Sequence, residues 1–367
     1  MQINQKKSWT LPILLLCILL GIQIACTKDD PTDGDKPNVD LAQVPYPRLS
    51  DYGFFQGNMA DFNPVAQVIP YDLNTPLFSN YTTKSRFVYM PEGTAAVYKA
   101  DETFEFPVGS VIIKNFSFLN DIRDAALGQK IIETRLLIRT DPAWIAATYI
   151  WNDQQTEANF DVAGRIIDVS WTHYDGNTKS IFYQIPNKND CKGCHSIDQK
   201  MVPIGTKARH MNKDYPYADG TMNQLDKLAA LGYLSGKPAT ASIPKVPVWD
   251  DPATGSLNDR ARAYLDINCA HCHNTRGPAN NAGLDLDYLQ TNPTAWGVCK
   301  QPIAAGPGAG LFKFDIYPGK PDSSILIYRL NSIQPQVAMP ELARSAIHEE
   351  GLQLLRDWIA SLEGDCE

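Results

Sequence analysis

Two five-residue segments stand out, Cys191-Lys192-Gly193-Cys194-His195 and Cys269-Ala270-His271-Cys272-His273. Each places two thiols at the spacing of the two vinyl groups of haem, with a histidine immediately after to ligate iron. Two covalently bound haem c groups are expected, one on Cys191, Cys194 and His195, the other on Cys269, Cys272 and His273. A zinc site made from two Cys-x-x-Cys pairs commonly has them about 15–20 residues apart. Here 74 residues lie between Cys194 and Cys269. A thioredoxin-like redox pair gives no reason for a histidine after both pairs. His271, inside the second motif, reads as a solvent-facing spacer.

A haem iron held by one histidine needs or lacks a ligand on its other face. Met339, followed by Pro340, lies 66 residues after His273 and shortly before a strongly amphipathic segment. That is where a class I cytochrome c domain carries its methionine, a soft ligand that raises the iron potential. For the first haem the candidates are Met222 and His210. Met201 is only six residues beyond His195, a taut span at about 3.4 Å per residue. An open site, or one completed by water or by a residue of the N-terminal region, is the other outcome.

The elements around these residues change character along the chain. Residues 46–186 carry short β-branched and aromatic runs, at 86–90, 110–114, 131–138 and 148–151, punctuated by Gly, Pro, Asn and Asp. This predicts a β-rich domain of sandwich or barrel type. The aromatic segment 70–81 reads as core and edge positions of that domain, with a ligand-binding surface as the alternative. Beyond Pro186 the periodicity becomes helical. Leu225, Leu228 and Ala229 share a face ending at Gly232, and Ser256 with Asp259 resembles a capping box ahead of Leu257, Ala261, Tyr264 and Leu265. A last helix is expected from a Ser345 cap, burying Ile347, Gly351, Leu354, Leu355, Trp358, Ile359 and Leu362. The expected fold is therefore multidomain: the β-rich domain, then a mainly α haem-binding region ending in a cytochrome c-like domain. The boundaries are a first haem segment at 187–236, a Pro-rich linker at 237–254 and the C-terminal domain at 255–367. The glycine-rich stretch 304–310 lacks the ending of a phosphate loop and reads as backbone brought close to a haem edge.

The N-terminus reads as an export signal over residues 1–25: Lys6 and Lys7, then an apolar run from Leu11 to Ile22 too short to span a bilayer. Gly21-Ile22-Gln23-Ile24-Ala25-Cys26 resembles a lipobox, with Gln23 departing from the usual aliphatic residue. Cys26 would carry the lipid, and residues 26–45, rich in Asp, Pro and Lys, would be anchor and flexible tether. An exported chain, anchored in the outer membrane and facing the periplasm or the cell surface, agrees with haem attachment, which needs that compartment. Once Cys17, Cys26 and the four haem cysteines are set aside, Cys299 and Cys366 remain, and a disulfide between them is expected. Loss of Lys6 and Lys7 takes the formal charge from −8 to −10, a balance that favours neither nucleic acid nor anionic lipid.

The chain resembles an uncharacterised family of diheme c-type cytochromes, often encoded beside a parallel β-helix protein. The resemblance covers roughly residues 46–362. It rests on Tyr71-Asp72-Leu73-Asn74-Thr75-Pro76-Leu77-Phe78-Ser79, Phe106-Pro107-Val108-Gly109, Ile185-Pro186-Asn187, Val202-Pro203-Ile204-Gly205-Thr206-Lys207, Gly297-Val298-Cys299-Lys300 and Met339-Pro340-Glu341-Leu342. Thr206 stands where the family usually has proline. The resemblance implies redox function without a substrate. The expected function is one-electron transfer in the bacterial cell envelope to an unidentified redox partner protein, with a β-helix protein as a second candidate partner. The alternatives are a peroxidase-like haem enzyme with an open first haem, and a redox-linked binding module.

Overall fold

The computed structural model describes residues 1–2 and 36–366. The export segment and Cys26 lie outside the described residues. Among those residues, no helix is long and apolar enough to cross a membrane.

Nine strands build the N-terminal half: β1 (Val68–Tyr71), β2 (Thr83–Tyr89), β3 (Ala96–Val97), β4 (Val111–Leu119), β5 (Gln129–Arg139), β6 (Trp144–Trp151), β7 (Ala158–Asp161), β8 (Arg165–Thr172) and β9 (Thr178–Ile185). Six of them form an antiparallel sheet in the order β1-β2-β4-β5-β6-β7. Its central strands are apolar on both faces, and both faces are covered. One face, with Phe87, Tyr89, Val111, Ile113, Leu136, Ile138 and Tyr149, packs against Tyr46, Leu49, Tyr52, Phe54 and Val65. Val39 and Val44 join that cluster, so the folded body begins before the expected end of the tether at residue 45. The opposite face, with Val88, Ile112, Leu137 and Ala146, packs against Ala208, Met211, Leu225, Leu228 and Ile267. This core runs across the expected boundary at 186 and reaches Ile267 beyond 254, while Ala261, Leu265, Ile327, Leu355 and Trp358 belong to a separate C-terminal cluster.

Strands β8 and β9 form a separate two-stranded sheet, bridged to the chain just past the end of β4 through Thr172 and Asp121. Their side chains alternate as a two-residue period requires. Val169, Trp171, Tyr183 and Ile185 pack against Phe118 and Ile132, while Ile166 and Phe182 face outward.

Seven helices follow: α1 (Lys188–Cys194), α2 (Ala208–Met211), α3 (Gln224–Ala230), α4 (Leu257–Leu265), α5 (Pro293–Trp296), α6 (Ile325–Leu330) and α7 (Glu349–Ser361). The expected fold class, with a mainly α haem-binding region and a cytochrome c-like C-terminal domain, is overturned. The protein is β-rich, 26% strand against 23% helix, with several antiparallel sheets. Only α4 and α7 exceed seven residues. Short hairpins at 196–201 and 214–223, and Leu234–Ser235 pairing in parallel with β3, occupy the stretch read as helical. The physical reason is that Pro and Gly break the helical periods into single turns, while the large β-sheet supplies the surface against which those turns bury their apolar side chains. Ser345 caps no helix: its N–H donates to Asn80 Oδ1, and α7 begins after His348.

Candidate functional site

Helix α1 starts at Asn187, whose side chain accepts from the backbone N–H of Asn189 and Asp190, while Asp190 accepts from the N–H of Asn187. This reciprocal cap fixes the helix that carries Cys191 and Cys194. The chain then folds back through the 196–201 hairpin, which brings the carbonyl of Val202 to 2.9 Å from His195 Nδ1. With Nδ1–H donating to that carbonyl, Nε2 is left with its lone pair toward any metal.

The second motif grows from α4. Ser256 accepts from the N–H of Asp259 at its start, and the helix runs into one π turn, Asp266–Ala270, that delivers Cys269. His273 N–H donates to Cys269 O at 2.9 Å. His273 Nδ1 is buried and has no partner among the described residues.

A buried ion network holds this turn. Asp266 accepts two hydrogen bonds from Arg209, at 2.9 and 3.0 Å, and lies 2.7 Å from His210 Nε2. Arg209 also reaches Asp287 at 2.8 Å. Burial alone would push the Asp266 carboxyl up, but His210, Lys207 and Arg209 together hold it well below the usual carboxylate range.

The two motifs, with 73 residues between them in sequence, open onto one cavity of about 490 Å³, lined by all four cysteines, His195, His271, His273 and Met339. That volume lies in the range of about 300–1,000 Å³ usual for ligand and cofactor sites. Its floor is the β4–β6 face of the sheet, including Ile112, Phe116, Leu137 and Ala146, and Leu77 and Phe78 supply a wall. Cys194 Sγ, Cys272 Sγ and a ring nitrogen of His271 lie within 4.8 Å of one another. His271 therefore faces inward against the first motif, and its expected role as a solvent-facing spacer is corrected. The reason is non-local: α1 packs where solvent would otherwise be.

The electrostatics suit metal ligation by neutral imidazole. Burial first, and then the charge of Lys114, lower His195 to about 3. Burial, followed by Arg329, lowers His273 to about 4. Burial raises the Cys269 thiol to about 12. A hydrogen bond with Cys272 is the main cause holding Cys194 down, and the same contact pushes Cys272 up.

His210 and Met222, the residues expected on the far side of a first haem, do not line the cavity. His210 is committed to Asp266, and Met222 is exposed on the 214–223 hairpin. The cavity includes instead Lys114, Arg135, His348 and Tyr264. Burial, with Arg86 and Arg135 next, pushes the Lys114 ammonium down to about 7. The signal that could have found Lys114 and Arg135 is a cation inside a β-branched, strand-forming run. The aromatic segment 70–81 divides between core and site: Tyr71 is buried in the core, while residues 77–80 line the cavity. In the glycine-rich stretch only Ala304 lines it. A Cβ on Gly308 would meet Arg329 at 2.8 Å, so this glycine makes room for Arg329, itself a lining residue.

Cys299 and Cys366 are joined by a disulfide, with Cα atoms 5.1 Å apart. No family model, curated protein or solved structure matches the chain.

Proposed function

We propose that the protein is a diheme c-type cytochrome that passes single electrons in the cell envelope. In this reading Cys191 and Cys194 hold one haem c and Cys269 and Cys272 the other, with His195 and His273 as iron ligands and Met339 as the second ligand beside His273. The observation that carries it is the shared cavity, which gathers both motifs and Met339 over a largely apolar floor. The donor set fits the group: paired thiols for the vinyl carbons, neutral imidazoles for the iron and a thioether for one axial position. Bound there, haem iron supplies a one-electron ferric–ferrous couple. The chain's own residues would set its two potentials apart. The Val202 carbonyl holds the His195 ring with Nε2 free to ligate, whereas a thioether from Met339 would favour the reduced state at the other site. The resemblance to the diheme family belongs to the same reading, as do a lipid anchor at Cys26, a redox partner protein and a β-helix protein as a second partner.

A second reading has an observation of its own. Cys194, His271 and Cys272 are close enough to hold one transition-metal ion such as zinc. It leaves Cys191, Cys269, His195, His273, Met339 and most of the cavity without a role. Alkaline pyridine spectra of protein matured with the haem-attachment machinery should give two c-type haems per chain and metal analysis no zinc. One haem or none would overturn the proposal. Carbon monoxide separates carrier from haem enzyme: no uptake by the reduced protein is expected of a carrier, and stoichiometric uptake at one haem would favour the enzyme.

Met339→Ala should abolish the near-infrared thioether-to-iron band of the oxidised protein and lower one of two midpoint potentials, leaving the other nearly unchanged. A redox titration in which both potentials stay put would show that the ligand lies elsewhere.

A further inference from the structure

The point where the two motifs touch is narrow and specific. Cys194 and Cys272 are the second cysteines of their motifs, and their sulfurs lie together with His271 in a group no wider than 4.8 Å. Cys272 Sγ is also 3.7 Å from the carbonyl oxygen of Gly193, the residue before Cys194. Just outside the cavity the same two segments are tied again. The N–H of Asp198 donates to the carbonyl of Arg276 at 3.0 Å, and the Arg276 guanidinium reaches the Asp198 carboxylate at 2.8 Å. A Cβ on Gly193 would meet Leu342 Cδ1 at 2.5 Å, so Leu342 packs directly over the backbone between the two cysteines of the first motif. The two motifs are therefore tied to each other beside the sulfur contact.

We infer that the two cofactors meet edge to edge through the Cys194 and Cys272 thioethers and behave as one electronically coupled pair. The inference rests on the diheme reading. Its physical basis is that a thioether sulfur is only two bonds from the porphyrin ring it holds, so sulfurs in contact bring two conjugated edges into proximity with no side chain between them. Coupling through a gap this short makes the optical transitions of the two rings interact. Charge on one site also raises the cost of charge on its neighbour, because the apolar surround screens it weakly. His271, half-buried in the same seam, lies beside the two sulfurs.

The test uses the matured, full-length protein, with haem content measured on the same sample. The oxidised protein should give a bisignate couplet in Soret-region circular dichroism and ferric resonances broadened by spin coupling. The double variant Cys191→Ala with Cys194→Ala, which keeps the second haem, should lose the couplet completely. Two haems per chain with a plain, single-signed Soret band, and two uncoupled ferric signals integrating to two full spins, would overturn the contact while leaving the diheme reading intact. Fewer than two haems in the wild-type protein would overturn that reading and the inference with it. The resonance measurement needs no variant, so poor folding of the double variant does not remove the test.

Discussion

Asp266→Ala is expected to destabilise the fold by about 3–5 kcal/mol, the usual cost of stripping one partner from a buried ion pair. The carboxylate and the Arg209 side chain are each about 1% exposed. Removing the carboxylate leaves a guanidinium in the core with only Asp287 and the carbonyl of Asp101 as acceptors. His210, itself buried, loses its partner as well. The effect reaches the site because Asp266 opens the π turn that carries Cys269. Urea unfolding of the variant measures it, and a loss under about 1 kcal/mol would show that the network contributes little. Asp266→Asn keeps the shape and removes the charge, which separates packing from electrostatics.

The pH dependence follows with a definite sign. The folded-state carboxyl of Asp266 is held well below its ordinary value. Its contribution is therefore complete above the unfolded pKa, about 3.9, and fades as pH falls through the folded value. Wild-type stability should drop more steeply than that of Asp266→Asn below about pH 4.

Removing the disulfide should cost about 4 kcal/mol, because its cysteines are 67 positions apart and an unlinked chain of that length regains substantial loop entropy on unfolding. The closed loop contains Met339, α6 and all of α7. Cys299→Ser combined with Cys366→Ser should lower the urea midpoint and steepen the slope, since the freed denatured chain exposes more surface, and reduced wild-type protein should match it. A midpoint unchanged within error would mean that the loop is already held by its packing, chiefly of Ile327, Leu354, Leu355 and Trp358.

The local parts of this architecture were legible in the chain. β-branched runs marked β4, β5 and β6 to within a few residues, because alternation and branching are properties of adjacent residues. Ser256 and Asp259 marked the start of α4 for the same reason. Helical periodicity after Pro186 was a poorer guide. Between Pro186 and the start of α4, apolar side chains such as Met211, Leu225 and Leu228 bury against the sheet, so single turns and hairpins satisfy them as well as long helices would, whereas α4, α6 and α7 pack on one another.

The sequence by itself determined the chemistry offered, namely two Cys-x-x-Cys-His motifs, a methionine before proline and two cysteines left over. These are local matters of residue type and spacing. Only the tertiary structure decided that both motifs open onto one cavity, that Cys194 meets Cys272 and His271, and that Lys114 and Arg135 from the sheet join them. It also decided that His210 belongs to Asp266 and that Met222 stays outside. Contacts between residues tens to hundreds of positions apart come from how a twisted sheet and short helices share their apolar faces, and no window of sequence contains both partners.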